Sequence, residues 1–558
     1  MTQETTVRTR RRFGRGAIAL AVAGTLVALA GCTAGGAEGG EAAASDATAG
    51  SMEDYTADTT FTATEPLDFS LLWTDWPEVP VTDSWQVFDE IEKRTNVHLD
   101  LTNIPFSDAT EKRSLLISAG DAPQIIPLVY TGEEKQFAAT GAVVALSDYE
   151  DYMPNFQKYV KEWDLREMVD NLRQDDGKYY MMPGLQEVSV PTFTLLVRKD
   201  VIEEVGAEVP ETWDELRTVL EKIKAKYPDS APLADGFEGQ SMLNYAAHSF
   251  GTVAGWGFGN GTFYNEDKGE FEYAATNDGY KQMVEYFHGL VEDGLLDTES
   301  FTAAVEGGST VTEKLASEKV FVASGANGTV QEFNTALDAA GVTDYEVLQI
   351  APPGGPAGQI VEPRNFWNGF MLTKEAEESP NFIAMLQFLD WLYYSPEARD
   401  MLRWGVEGET FTKTDDGTYT LNPEYSLKAF NINPEGKTDI QKDLGFSNDP
   451  LSGSTESRAL KESYNVPAFV DYIDSVLTNR TPRDPFPPAP LNEGELEQAS
   501  LMATPLKDSV DTNTLKFILG DRPLSEWDAF VSELEGQNLQ GYLDLINGAS
   551  ERWAENNG

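Results

Sequence analysis

The chain reads as a two-lobed α/β protein with a helical C-terminal part, and three observations point there. Its 558 residues exceed what one hydrophobic core supports. Between residues 67 and 130, apolar runs of strand length alternate with helical periodicity, the mark of an open sheet covered by helices. At 176–216 the order is strand, irregular crossing, strand, helix, helix, which predicts a passage between lobes near 185–192.

Composition is that of a globular protein: 41% hydrophobic, 11% aromatic and 24% charged. Acidic residues number 93 against 41 basic, a formal charge of −52. Such a field repels polyanions and excludes nucleic acid as a partner, while favouring solubility.

Residues 1–31 carry Arg8, Arg10, Arg11, Arg12 and Arg15 ahead of the apolar run 17–30, the n-region and h-region of a signal peptide. The run is too short for a membrane span. Leu29-Ala30-Gly31-Cys32 resembles the bacterial lipobox, in which the thiol is acylated and becomes the new N-terminus. Cys32, the one cysteine, is thus the expected lipid attachment site and leaves no intramolecular disulfide; the alternative is an ordinary signal with an incidental cysteine. Residues 9–15 also look like a twin-arginine export signal, although an arginine-rich leader serves ordinary secretion as well. From 33 to about 60 almost nothing is apolar, so residues 32–60 are expected to be an acylated cysteine and a flexible tether reaching roughly 30 Å.

Folded structure is predicted from 67–73, a strand, followed by helical spacing of Trp85, Phe88 and Ile91, a strand at 97–101, a helix at 108–118 and a strand at 125–130. Ligands in open sheets sit beyond the carboxyl ends of strands, which singles out Trp73, Trp76 and Tyr130. A helix is expected at 155–172, others at 213–227 and 241–250, and a glycine-rich loop around Trp256 at 251–261. Phe263-Tyr264 and 271–273 read as a hairpin; Asn265, Asp267 and Glu270 between them lack the acidic spacing of a calcium loop. Beyond 371 the reading is mostly helical, interrupted by a hairpin turn at Asp415-Asp416-Gly417 and by the stretch 482–490, and ending in amphipathic helices at 525–534 and 542–556.

Catalytic signatures are missing. The histidines, His98, His248 and His288, have no metal spacing, and no nucleophile elbow, phosphate loop or dinucleotide fingerprint occurs. Neither a cofactor nor a metal is expected. Paired carboxylates can be picked at will from 93, so a glycosidase is neither supported nor removed.

Several motifs in order carry a family resemblance: Asp176-Gly177-Lys178-Tyr179-Tyr180-Met181-Met182-Pro183, Val197-Arg198-Lys199-Asp200, Pro210-Glu211-Thr212-Trp213-Asp214-Glu215-Leu216, and later Tyr393-Tyr394-Ser395-Pro396-Glu397-Ala398 and Gly405-Val406-Glu407-Gly408. Together they resemble the family 1 extracellular solute-binding proteins of ABC importers, in the subgroup of alginate-oligosaccharide binders and related lipoproteins. The resemblance implies a periplasmic-binding-protein-like fold, two α/β lobes on a three-segment hinge with a helical C-terminal extension. Crossings are then expected near 188, near 320 and at 364–371, giving a first lobe of 61–187 and 321–367 and a second of 188–320 and 368–558. The calcium loop that some relatives carry would fall at 227–232, which lacks the ligands.

The same resemblance makes the protein a lipid-anchored, monomeric receptor on the outer face of the cell membrane, closing over an oligosaccharide and handing it to a membrane permease. Sugar rings pack flat on aromatic faces while their hydroxyls take polar partners. Trp256, Trp367, Trp76, Tyr130 and Trp73 are the aromatic candidates, with Arg364, Asn365 and Glu407 as polar ones; for each aromatic, a place in the core is the competing reading. Trp85, Trp213, Trp391 and Trp527 lie on helical apolar stripes and read as core. Acidity favours neutral sugars over polyuronates. A surface glycosidase or lyase, or a non-transport adhesin or sensor, are the alternatives.

Overall fold

A computed structural model of the protein describes residues 47–255, 261–301, 309–362, 366–414, 417–452 and 455–557. The expected signal peptide, Cys32 and the tether up to residue 46 lie outside the described residues.

Order begins earlier than expected. Residues 47–60, read as tether, run along the Phe382–Tyr394 helix, which is buried on every side yet contains Gln387 and Asp390. Leaving such groups unpaired would cost about 1–3 kcal/mol each. The N-terminal segment supplies their partners. Met52 N donates to Gln387 Oε1 and Gln387 Nε2 donates to Met52 O, both at 2.9 Å, and Tyr55 OH donates to Asp390 Oδ2 at 2.9 Å. The same carboxylate accepts the Asn155 and Phe156 backbone N–H groups at 3.0 and 2.9 Å. The segment is polar because its task is to satisfy a buried helix, which composition alone does not distinguish from a tether.

Along the chain, β1 (Leu67–Asp75), β2 (Val97–Pro105) and β3 (Ile125–Val129) alternate with the Gln86–Thr95 and Ala109–Ala119 helices, and β4 (Met182–Leu185) follows. Then come β5 (Thr194–Arg198), β6 (Leu233–Ala234), the hairpin of β7 (Thr262–Asn265) and β8 (Glu270–Tyr273), β9 (Val322–Gly325), β10 (Val347–Gln349), β11 (Ile360–Val361) and β12 (Phe366–Leu372). Local signals fix the ends of several elements. Asn96 adopts the left-handed conformation (φ 59°) to end its helix and turn into β2. Thr212 and Glu215 form a capping box that opens the Trp213–Lys226 helix. Asn265 and Lys268 both bond the Glu272 carboxylate, so the polar β7–β8 turn is filled by its own side chains.

Two principal sheets result, one in the order β2-β1-β3-β12-β4 and one in the order β10-β5-β9-β6. The first lobe's core gathers Trp73, Trp85, Phe69 and Phe156 with the Phe382–Tyr394 helix and Tyr464. The second gathers Trp213, Tyr280 and Phe287 with Leu506, Phe517 and Trp527 of the C-terminal helices Glu493–Leu519 and Trp527–Glu535. Trp85, Trp213, Trp391 and Trp527 are all buried.

The sheets divide the chain differently from the expected boundaries. Residues 186–193 do cross from β4 to β5, but 320–325 does not return to the first lobe: β9 lies inside the second sheet, between β5 and β6. The chain returns between β10 and β12, and crosses again between the Arg458–Ser463 helix, packed in the first core, and the Pro467–Asn479 helix, packed against β10. Residues 321–349 therefore go with the second lobe and 366–463 with the first. An apolar run such as 320–323 buries equally well in either sheet, so its sequence carries no address. Asp415 and Asp416, the expected hairpin turn, lie outside the described residues, but the hairpin that they join is present at Phe411–Lys413 and Tyr419–Leu421.

β12 runs antiparallel to both β3 and β4. It lies so close to β4 that a Cβ on Gly369 would stand 1.9 Å from Met182 O, and only glycine fits there. The antiparallel setting brings the carboxyl ends of β1 to β4 and the start of β12 to one edge. In the second sheet, β5 is antiparallel to β9 and β10 while β6 is parallel to β9, so the start of β5 and the ends of β6, β9 and β10 share an edge. The connection 186–193 runs from the end of β4 on the first edge to the start of β5 on the second.

Candidate functional site

On the first-lobe edge an aromatic follows each of three parallel strands: Trp76 after β1, Phe106 after β2 and Tyr130 after β3, with Trp367 entering β12 beside them. Trp76 stacks on Phe106 with centroids 5.1 Å apart and planes 25° apart. Tyr130 meets Trp367 edge to face at 6.3 Å and 72°. Phe106 and Tyr130 stay 55% and 49% exposed, apolar faces left in water at the same sheet edge.

Tyr130 is held from beneath. The buried Arg113 guanidinium donates to Leu128 O (2.9 Å) and to Glu133 Oε2 (2.6 Å), and that carboxylate oxygen accepts the Tyr130 backbone N–H at 3.0 Å. Leu128 sits at φ 58°, so β3 bends sharply just before the tyrosine.

The second-lobe edge presents Phe193 ahead of β5, Phe237 beyond β6 and Asn327 beyond β9. The two phenyl rings meet edge to face at 5.3 Å and 82°, and Phe237 is 38% exposed. Asn327 Nδ2 donates to Asn465 Oδ1, linking this edge to the last crossing.

Where the edges meet, a cavity of about 240 Å³ opens, lined among others by Gln186, Thr192, Asn327, Trp367, Phe430 and Tyr464. The first and last crossings contribute to its wall through Gln186, Thr192 and Asn465, and the start of β12 through Trp367. Its charged floor is internally paired. Arg403, 4% exposed, donates to Ser447 Oγ (2.8 Å) and Glu456 Oε1 (3.1 Å) and lies 4.2 Å from the Tyr464 ring centroid. Glu456 also accepts the Tyr464 hydroxyl, and Lys461 donates to Gln186 Oε1 at 2.7 Å. Burial, with the Glu456 carboxylate next, pushes the Tyr464 phenol far above its ordinary range. Arg403 and Lys461 balance Asp449 and Glu456 in the lining, so a strongly acidic chain presents a wall of little net charge.

Three of the sequence candidates lie at the first-lobe edge, Tyr130 against Trp367 and Trp76 against Phe106, and of the three Trp367 alone lines the cavity. Trp73 does not join them. It is 1% exposed and packs in the first core against Trp85 and Phe88 at 5.9 and 5.7 Å, because it points inward from β1 one pleat before the strand ends. Glu407 is exposed in the turn ahead of the Phe411–Lys413 hairpin strand and is not among the cavity's lining residues. Trp256, Arg364 and Asn365 lie outside the described residues. Sequence reasoning missed Phe106, Phe193 and Phe237. The strand-end rule that selected Trp76 and Tyr130 selects Phe106 as well; Phe193 and Phe237 needed the second sheet's pairing. The Arg403–Glu456 pair left no local signal, its partners being 53 residues apart.

Residues 86–404 match the family described as bacterial extracellular solute-binding protein. The fructooligosaccharide ABC transporter substrate-binding protein FusA of Streptococcus pneumoniae is 26% identical over 491 residues, 82% of this chain and 85% of FusA. The polygalacturonan/rhamnogalacturonan-binding protein YtcQ of Bacillus subtilis is 24% identical over 476 residues, 82% of this chain and 88% of YtcQ. Among solved structures, the alginate-binding protein AlgQ2 without calcium ion superposes with a TM-score of 0.68 at 18% identity, covering 88% of this chain and 100% of AlgQ2. That likeness concerns the fold.

Proposed function

The chain belongs to the bacterial extracellular solute-binding proteins, and from that premise we propose that it is the substrate-binding component of an ABC importer, capturing a neutral oligosaccharide between its two sheet edges. The observation that carries the reading is an aromatic cluster at the strand ends of each sheet, with Trp367 of the first in the wall of a cavity whose charges are already matched. Stacked and edge-on rings suit the C–H faces of sugars, and Gln186, Thr192 and Asn327 suit their hydroxyls. A cavity of about 240 Å³ falls below the roughly 300–1,000 Å³ usual for a complete small ligand, which favours a chain with one unit enclosed and others along the open edge.

Related proteins bind sugars of both kinds, fructooligosaccharides for FusA and polygalacturonan for YtcQ. Among the described residues no cation of the cavity floor is left over for a uronate: Arg403 is paired with Glu456, and Lys461 lies against Gln186 and, at 3.7 Å, Glu456. Titration calorimetry against a panel of neutral and uronic-acid oligosaccharides tests this. Binding of neutral members, unchanged between low and high salt, with the sugar recovered intact, supports the proposal. Binding confined to uronates and lost in salt overturns the neutral assignment, and release of shorter products overturns the receptor reading in favour of a surface glycosidase or lyase.

Delivery to a permease and anchoring through an acylated Cys32 complete the proposal. Lipid labelling of the full chain that vanishes in Cys32→Ala, with release of the variant into the medium, is the expected outcome; unlabelled parent protein would refute the anchor.

A further inference from the structure

Gln186, Lys461, Asn465 and Asn327 all line the cavity, and they form one polar chain from the first crossing to the second lobe. Gln186 lies on the first crossing and Lys461 on the Arg458–Ser463 helix of the first lobe. Asn465 stands on the last crossing, and Asn327 opens the Asn327–Ala339 helix that follows β9 in the second lobe. Lys461 Nζ donates to Gln186 Oε1 at 2.7 Å, Asn465 Nδ2 donates to Lys461 O at 2.6 Å, and Asn327 Nδ2 donates to Asn465 Oδ1.

This chain has a polarity, and a backbone carbonyl sets it. Lys461 O lies in the last turn of its helix, where carbonyls have no partner within the helix. A carbonyl only accepts, so Asn465 must turn its NH2 group toward Lys461 and its oxygen toward Asn327. That oxygen in turn requires the NH2 group of Asn327. Reversing either amide would set oxygen against oxygen or NH2 against NH2. Asn327 is thereby left with Oδ1 to offer, an acceptor that takes no hydrogen bond from a described residue.

We propose that Asn327 is a specificity-determining residue whose Oδ1 accepts a hydrogen bond from a saccharide hydroxyl, and that Asn465 is the positioning residue that keeps this oxygen turned to the sugar. The inference rests on the reading of the cavity as a saccharide site. A hydroxyl both donates and accepts, whereas a carboxylate or a ring ether only accepts. Against an acceptor that cannot turn, a hydroxyl gains a bond and an acceptor-only group meets repulsion. The chain thus selects a hydroxyl at this point of the wall through bond polarity, independently of the ion pairs on the cavity floor.

The test takes a neutral oligosaccharide that binds the intact protein in calorimetry, its monodeoxy analogues, and the matching deoxyfluoro analogues, in which fluorine accepts weakly and donates nothing. In the parent, one deoxy analogue should bind roughly 3- to 10-fold more weakly than the hydroxyl sugar, the loss of one neutral hydrogen bond, and its deoxyfluoro counterpart should bind no better. In Asn327→Ala the hydroxyl sugar should lose the same factor and that deoxy analogue nothing further. In Asn465→Ala, where the Asn327 amide is free to turn, the preference for hydroxyl over fluorine should shrink at that position and stay as it was at the others. An unchanged preference overturns the positioning role of Asn465. Fluorine that restores hydroxyl-like affinity in the parent means that the protein donates there, and it overturns the acceptor role of Asn327. Should a variant fail to fold, the parent's analogues still decide: no position at which deoxy and deoxyfluoro sugars lose alike overturns the proposal. Binding of neutral sugars with no analogue sensitive to Asn327 sinks this inference and leaves the saccharide reading standing, whereas failure of every neutral sugar to bind sinks both.

Discussion

Trp367→Ala is the most informative single substitution. An aromatic side chain carries about 150–250 Å² of surface, and with most of the indole buried in β12 about a third of it, roughly 50–80 Å², remains for a ligand to cover. At about 25 cal/mol per Å² that face contributes about 1.3–2 kcal/mol, or roughly 10- to 30-fold in affinity. Tyr130, edge-on to the same ring at 6.3 Å, loses part of its own support, so Tyr130→Ala and the double variant should be less than additive. Calorimetry with the best-binding oligosaccharide measures the loss, and a thermal melt within a few degrees of the parent establishes that the variant is folded. A folded Trp367→Ala protein binding within threefold of the parent would refute the placement of the ligand at this edge.

Arg403→Met should leave Glu456, 6% exposed, with Lys461 at 3.7 Å as its remaining counter-charge and destabilise by about 3 kcal/mol in denaturant titration, with Glu456→Gln partly restoring the loss. Gly369→Ala should force β12 from β4 against the Met182 carbonyl and cost about 3 kcal/mol, read as an earlier melt. Asp390, pushed up to about 6 by burial, keeps its proton in the native state where the unfolded chain has lost it, so its contribution makes stability fall as pH rises from about 4 to 6 and level off above. Asp390→Asn should remove that slope. Tyr55→Phe deletes one donor to the same carboxylate and should cost about 1–2 kcal/mol while exposing residues 47–60 to limited proteolysis.

Much of this architecture was legible, and particular residues show where legibility ends. Alternation at 67–130 revealed the parallel strands because each strand and its helix are neighbours in sequence, so local period decides them. The helix that opens at Trp213 and the buried tryptophans of helical stripes were readable for the same reason. Lobe membership of 321–349 was not, because β9 and β12 are both apolar and only strand pairing tells the sheets apart. The N-terminal segment misled in the opposite sense: its polarity looks like a tether, yet Asp390 and Gln387, more than 300 residues away, are what it serves. At the site, Trp76 and Tyr130 followed from the rule of strand ends, while Trp73 shows that the rule has a resolution of one pleat. The charge-matched floor depends on distant partners and could not be read from any window.

The central claim is that both edges grip one saccharide and that neither suffices alone, since a ligand touching a single lobe cannot bias closure. Small-angle scattering of the protein, titrated with a neutral oligosaccharide chosen by calorimetry, tests it most directly. The account predicts a smaller radius of gyration at saturation for the parent, and markedly less compaction for Phe237→Ala, which keeps the first-lobe edge intact. Full compaction in Phe237→Ala, or saturable binding with no change of radius in the parent, would contradict it.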